Sequence, residues 1–178
     1  MIIFLDTETT ALLAVEAAGV EHQPHIVELY LLKTDDQLRE LDELHLLIKP
    51  PIKIPDETIK IHGITNEKVK DKKPFAGYYR TISNFVIGTR CMVGHNLQYD
   101  KRVLQYELER INKVTSFPWP PTQVCTVEET QKRKGHRMSL GDLYEELFGT
   151  RFDAAHTAEA DTRALLRIYR KMMEELEQ

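Results

Sequence analysis

The sequence predicts an α/β sandwich with a mixed sheet. Three observations carry this: apolar strand-like runs fill roughly the first fifty residues, a further short apolar run lies between two helical patterns near Cys91, and the chain beyond Val124 reads as helical. At 178 residues, 42% hydrophobic and 29% charged, the chain suits one domain, 1–178, with a sizeable core, and disorder is not expected.

Met1 to Leu5 reads as a strand apolar on both faces, with Ile2 and Phe4 on one side and Met1, Ile3 and Leu5 on the other, so it should be buried. His25–Leu32 and Leu41–Lys49 hold β-compatible stretches joined by short connections, which suggests a three-strand meander. Pro50, Pro51 and Pro55 end the third strand. In "IHGITNEKV", Gly63 stops a helix and Thr65 caps a short new one. Pro74–Ile87 is a candidate helix, Arg90–Gly94 a short buried strand, and Tyr99–Ile111 a helix with apolar residues at helical spacing. Ser139 caps a helix running toward Phe148, Gly149 stops it, and the last long helix runs from about Thr157 to Leu176.

The formal net charge of -4 supplies no global attraction to nucleic acid, although bound cations would neutralise some of the acids, so such a partner stays open. Cys91 and Cys125 stand far apart and outside any Cys-x-x-Cys pair, which argues against a disulfide framework or thiolate zinc site and fits a reducing cytoplasm. The opening apolar run stops at Asp6 with no basic segment before it, so neither a signal peptide nor a membrane span is read. A soluble cytoplasmic protein with no membrane partner is expected.

The first strand ends in "FLDTETT", where Asp6 and Glu8, two residues apart, share a face and oppose each other's ionisation. Asp161 lies four residues before Leu165, in phase with the stripe Leu165, Ile168 and Met172 on the last helix. Asp100 lies three and four residues before Val103 and Leu104, on the buried face of its own helix. Singly, each acid has an ordinary explanation, as a turn acid or a first-turn acid favoured by the helix dipole. Together, four inward carboxylates without partners would cost several kcal/mol each, on the order of the penalty for isolated buried ions. Hard divalent cations remove that cost. Mg2+ or Mn2+ fits better than zinc because neither cysteine joins the acids, and two ions about 3.5 to 4 Å apart could share these carboxylates and bracket a phosphoryl group.

"DTET" at Asp6–Thr9, "GHNLQYD" at Gly94–Asp100 and "HTAEAD" at His156–Asp161 resemble the three motifs of the DEDDh group of 3′-to-5′ exonucleases, and Pro50–Val69 resembles the group's stretch between the first two. The resemblance implies a ribonuclease H-like mixed five-stranded sheet flanked by helices, with two Mg2+ or Mn2+ ions held by the counterparts of Asp6, Glu8, Asp100 and Asp161. It also implies His156 as the general base. On an ideal helix, five residues turn about 500°, which would leave His156 about 140° from Asp161. His156 is therefore expected on the loop before the helix, together with Ala154 and Ala155.

Where the group usually has glycine after the paired threonines, this sequence has Ala11, which would be strained if the position needs a positive φ. The resemblance assigns contacts with the 3′-terminal nucleotide to Thr9, Thr10 and Leu12. Tyr99 stands where phenylalanine is common. Asn96 either caps the following helix or meets substrate, and His95 and His62 are read as structural residues. The basic run Lys132–Arg137 is either a phosphate contact or a solvated loop, and Trp119 is read as packing rather than base stacking.

The expected function is a metal-dependent 3′-to-5′ exonuclease that releases nucleoside 5′-monophosphates from single-stranded or frayed DNA ends in repair or proofreading. The alternatives are an exoribonuclease acting on RNA 3′ ends and a non-catalytic nucleic-acid-binding module of the same fold. Because the last helix ends close to Gln178, a stand-alone nuclease is expected before a subunit held by a DNA polymerase or another replication or repair protein.

Overall fold

The computed structural model describes residues 1–15, 18–152 and 157–176. Five strands, β1 (Ile2–Thr9), β2 (Ile26–Thr34), β3 (Glu40–Leu47), β4 (Cys91–Gly94) and β5 (Thr122–Cys125), form one sheet in the order β3-β2-β1-β4-β5. β1 pairs antiparallel with β2 and parallel with β4, while β2 pairs antiparallel with β3 and β4 parallel with β5, so the sheet is mixed. Among the described residues the α-helices are α1 (Asp56–His62), α2 (Asn66–Val69), α3 (Phe75–Val86), α4 (Leu97–Arg110), α5 (Thr126–Lys134), α6 (Leu140–Phe148) and α7 (Ala158–Leu176). None is long and apolar enough to cross a membrane.

β1 is apolar on both faces because both are covered. Ile3 and Leu5 pack with Leu29, Leu31 and Met92 beneath α3 and α4, through Ile82, Val86, Val103, Leu104 and Leu108. Ile2 and Phe4 pack with Tyr30, Leu32 and Val93 beneath α7, through Ala158, Leu165 and Leu166. The apolar stripe expected on α7 is divided between two neighbours. Leu165 meets the sheet, whereas Ile168 and Met172 meet Leu143 and Tyr144 of α6.

Several local signals act as expected. Gly63 and Gly149 adopt the left-handed conformation that ends α1 and α6, the Thr65 hydroxyl accepts the Lys68 N–H, and Ser139 accepts the Asp142 N–H. Two elements differ. Thr122–Cys125, before the expected helix, is the edge strand β5, mostly exposed and therefore without a readable apolar pattern. α4 begins at Leu97 rather than Tyr99, because Asn96 takes φ 66° and turns the chain straight out of β4. Gly94 permits this turn: a Cβ there would lie 3.1 Å from the Leu97 Cα and 2.9 Å from its Cδ1. The tight turn brings the start of α4, and with it Asp100, to the end of β1.

Candidate active site

Asp6 and Glu8 lie inside β1, on the side of the sheet that α7 covers, and Asp161 lies one turn into α7. One oxygen from each of the three comes within 4.8 Å of the others. Among the described residues, the charges that bear on Asp6 and Glu8 are those of other carboxylates. Burial first, and then the charges of Asp100, Asp161, Glu8 and Glu28, hold the Asp6 carboxyl well above the ordinary range. Burial, then Asp161, Glu28 and Asp100, push Glu8 up to about 8.

Asp100 reaches the same end of β1 from the opposite layer. It is 3% exposed, and its Oδ1 accepts both the N–H (3.0 Å) and the hydroxyl (2.7 Å) of Thr7, the residue between Asp6 and Glu8 that faces α4. Burial pushes its carboxyl up to about 7 against these two hydrogen bonds. It stands outside the close group of three, yet its charge is the largest electrostatic influence on Asp6. The donor set is all oxygen, partly or fully buried and mutually repelling, which fits hard divalent cations such as Mg2+ or Mn2+.

A fifth acid, Glu28, lies directly across the β1–β2 pair from Glu8 and is 5% exposed. Its signal in the sequence is an acid in the middle of the apolar run "HIVELYLL".

Beside the acids is a pocket of about 320 Å³ lined by Glu8, Thr9, Leu12, Ile61, His62 and Tyr99 among others. Leu12 and Ile61, 83% and 60% exposed, offer apolar surface at its edge. The Thr9 hydroxyl lies 2.8 Å from the Ala11 carbonyl and 2.7 Å from the Tyr99 hydroxyl, and these bonds tie the loop after β1 to α4. Ala11 causes no strain, since among the described residues the non-glycine positions with positive φ are Leu38, Asn96 and Asn112. His62 does more than terminate α1. Its Nδ1 accepts the Ile64 N–H, which leaves the proton of the neutral ring on Nε2, buried beside the Thr9 backbone without a well-formed hydrogen bond. A second pocket, about 550 Å³, shares Asn96 and Tyr99 with the first and is lined by Lys101 and Arg102 and by no acid.

The remaining sequence-predicted residues divide clearly. Thr10 stands apart from the pocket: it is 1% exposed and its hydroxyl accepts the His25 N–H. Asn96 makes no side-chain cap; its Oδ1 accepts a bond from Arg137, and the residue borders both pockets. His95 is structural, held between the Thr126 hydroxyl and the Met138 carbonyl, and burial pushes its pKa down to about 4. In the basic run, Lys132, Arg133 and Lys134 pair with Glu129, Glu175 and Glu146, so Arg137 alone of these four meets a residue bordering the pockets. Trp119 packs edge-on against Phe117 at 4.6 Å. His156, with Ala154 and Ala155, lies outside the described residues.

The family model RNase_T, described as an exonuclease, matches residues 3–169. The chain is 28% identical over 151 residues to the DNA polymerase III subunit epsilon of Pasteurella multocida, covering 82% of this chain and 56% of that protein. It is 30% identical over 169 residues to the Treponema pallidum epsilon subunit, covering 94% and 74%. The chain thus spans little more than half the length of the first of these relatives. Among solved structures, the nuclease domain of 3′hExo, a DEDDh family member, bound to rAMP matches with TM-score 0.79 and 17% identity, covering 98% of this chain and 92% of that one. Exonuclease X in complex with 5′ overhanging duplex DNA matches with TM-score 0.65 and 21% identity, covering 98% and 93%.

Proposed function

The chain belongs to the RNase_T exonuclease family, and from that premise we propose that it is a metal-dependent 3′-to-5′ exonuclease releasing nucleoside 5′-monophosphates from single-stranded or frayed DNA ends. The observation that carries this reading is the group of Asp6, Glu8 and Asp161, whose oxygens crowd within 4.8 Å while the charges bearing on Asp6 and Glu8 among the described residues have the same sign. Asp6, Glu8, Asp161 and Asp100 would hold two Mg2+ or Mn2+ ions. When bound, such ions supply Lewis acidity to the phosphoryl oxygens and a lowered pKa to water.

The protein's own residues supply position. Thr7 fixes the Asp100 carboxylate through two hydrogen bonds, and the loop after β1 is pinned by Thr9 and Tyr99. The pocket suits a single nucleotide in size, with Leu12 and Ile61 as apolar faces for a base. Thr10 supports this loop from behind through His25. Asn96 borders the way to the pocket lined by Lys101 and Arg102, a cationic path suited to the strand's backbone. His156, on the segment before α7, takes the proton from the attacking water.

DNA is the preferred substrate because the curated relatives are DNA polymerase III subunits. RNA is the second reading, favoured by the structural match to 3′hExo bound to rAMP. A repair or processing nuclease of the cytoplasm, alone or beside a polymerase, fits either substrate.

The test uses matched 5′-labelled single-stranded DNA and RNA oligonucleotides with Mg2+, Mn2+ or EDTA. A metal-dependent ladder shortening from the 3′ end is expected, faster on DNA. Faster RNA shortening would move the substrate assignment, and binding without cleavage of either would leave a non-catalytic module.

A further inference from the structure

Glu28 is a buried carboxylate for which the proposed chemistry has no use, and it sits in an unfavourable place. It faces Glu8 across the β1–β2 pair, on the same side of the sheet, where like charges directly opposite destabilise. Both of its oxygens are engaged. Oε1 accepts from His45 Nε2 at 2.6 Å, on the neighbouring strand β3, and Oε2 accepts the backbone N–H of Ala158 at 3.0 Å.

Ala158 is the first residue of α7 and is fully buried. Its N–H is one of the donors that a helix leaves unsatisfied at its start, and a carboxylate at that end also complements the helix dipole. Two other donors of the turn are met locally: the Ala160 N–H by the Thr157 hydroxyl and the Asp161 N–H by the Thr157 carbonyl. The Ala158 bond is the long-range one, spanning 130 residues to the sheet. Three residues on, and on the same helix face, comes Asp161; two residues back in sequence stands His156. Apolar packing by Leu165 and Leu166 holds the helix further along, while in the first turn the small Ala158 side chain packs on the sheet beside this bond.

We infer that Glu28 is a positioning residue: oriented by His45, its carboxylate pins the first turn of α7 to β2 and so sets where Asp161 stands against Asp6 and Glu8. The effect on turnover rests on the exonuclease reading; the anchoring itself does not.

The experiment compares Glu28→Met, which fills the space but accepts no hydrogen bond, with Glu28→Gln, whose carbonyl can still accept the Ala158 N–H. Amide exchange of Ala158, measured in metal-free protein without nucleic acid, reads the anchor whether or not the protein cleaves anything. Steady-state cleavage of a single-stranded oligonucleotide, normalised to folded protein, reads its consequence. In Glu28→Met, Ala158 should exchange faster and kcat fall by about tenfold to a hundredfold, the range for groups that orient metal ligands, with KM changed less than about threefold. Glu28→Gln should keep Ala158 protected and kcat within about fivefold of the parent protein. The inference is overturned if Ala158 stays protected in Glu28→Met, or if kcat per folded molecule is unchanged there. It is also overturned if Glu28→Gln loses turnover while Ala158 remains protected, a result that can be read even if Glu28→Met fails to fold.

Discussion

Glu8→Gln should make the metal-free protein more stable, and increasingly so as pH rises. The Glu8 carboxyl is held at about 8 against an ordinary 4.5, chiefly by burial and then by the Asp161, Glu28 and Asp100 charges. A folded-state pKa above the unfolded value means that the stability linked to this group is fully present below about pH 4.5 and is lost as pH rises through about 8. At 1.36 kcal/mol per pKa unit the full cost of ionising Glu8 is on the order of 5 kcal/mol, and its partial exposure and the loosening of its neighbours reduce this to about 2 kcal/mol. Glutamine keeps the shape and removes the charge. In a protein of this length the gain corresponds to a rise in Tm of roughly 4 to 8 °C at about pH 8, shrinking toward zero at about pH 4.5. Calorimetry on chelator-treated protein across this pH range measures it directly. Saturating Mg2+ or Mn2+ should reverse the order, because the parent protein gains binding energy that the variant has lost. A variant no more stable than the parent at about pH 8, or equally stabilised by metal, would refute the electrostatic account of this cluster.

Further expectations follow from neighbouring contacts. Thr7→Val removes the hydroxyl that bonds Asp100; stability should fall by about 1 kcal/mol, and turnover by about tenfold or more with KM little changed, measured by denaturant unfolding and steady-state kinetics. Gly94→Val places a side chain against the Leu97 backbone and should cost about 1 to 3 kcal/mol by chemical denaturation. Lys101→Glu, in the acid-free pocket along α4, should raise KM severalfold with kcat retained and lessen the salt dependence of oligonucleotide binding by about one unit of log–log slope.

Much of this architecture was legible because strand and helix periods leave marks on apolar residues. Ile2 and Phe4 against Ile3 and Leu5 do divide between the two layers, and the same alternation carried on through Asp6 and Glu8 turns both acids toward α7. Asp161 was readable from its phase with Leu165. What escaped depends on tertiary contact or backbone geometry. β5 is an exposed edge with no apolar alternation, and the start of α4 depends on the left-handed turn at Asn96. Thr10 looked available to substrate because a hydroxyl in a loop motif does not announce that it accepts the His25 N–H. Glu28 was passed over within an apolar run, although its role appears once β2 is registered against Glu8 and α7 is docked.

The central claim is that carboxylates gathered at the end of β1 hold ions for hydrolysis at a 3′ end, and Asp161 belongs to that group without belonging to β1. The most direct measurement is single-turnover release of nucleoside 5′-monophosphate from a short single-stranded DNA in Mg2+, by the parent protein and by Asp161→Ala, with oligonucleotide binding measured alongside. The account predicts release from the 3′ end by the parent and a loss of more than about a hundredfold in the variant, with binding retained. An undiminished rate in Asp161→Ala would contradict it.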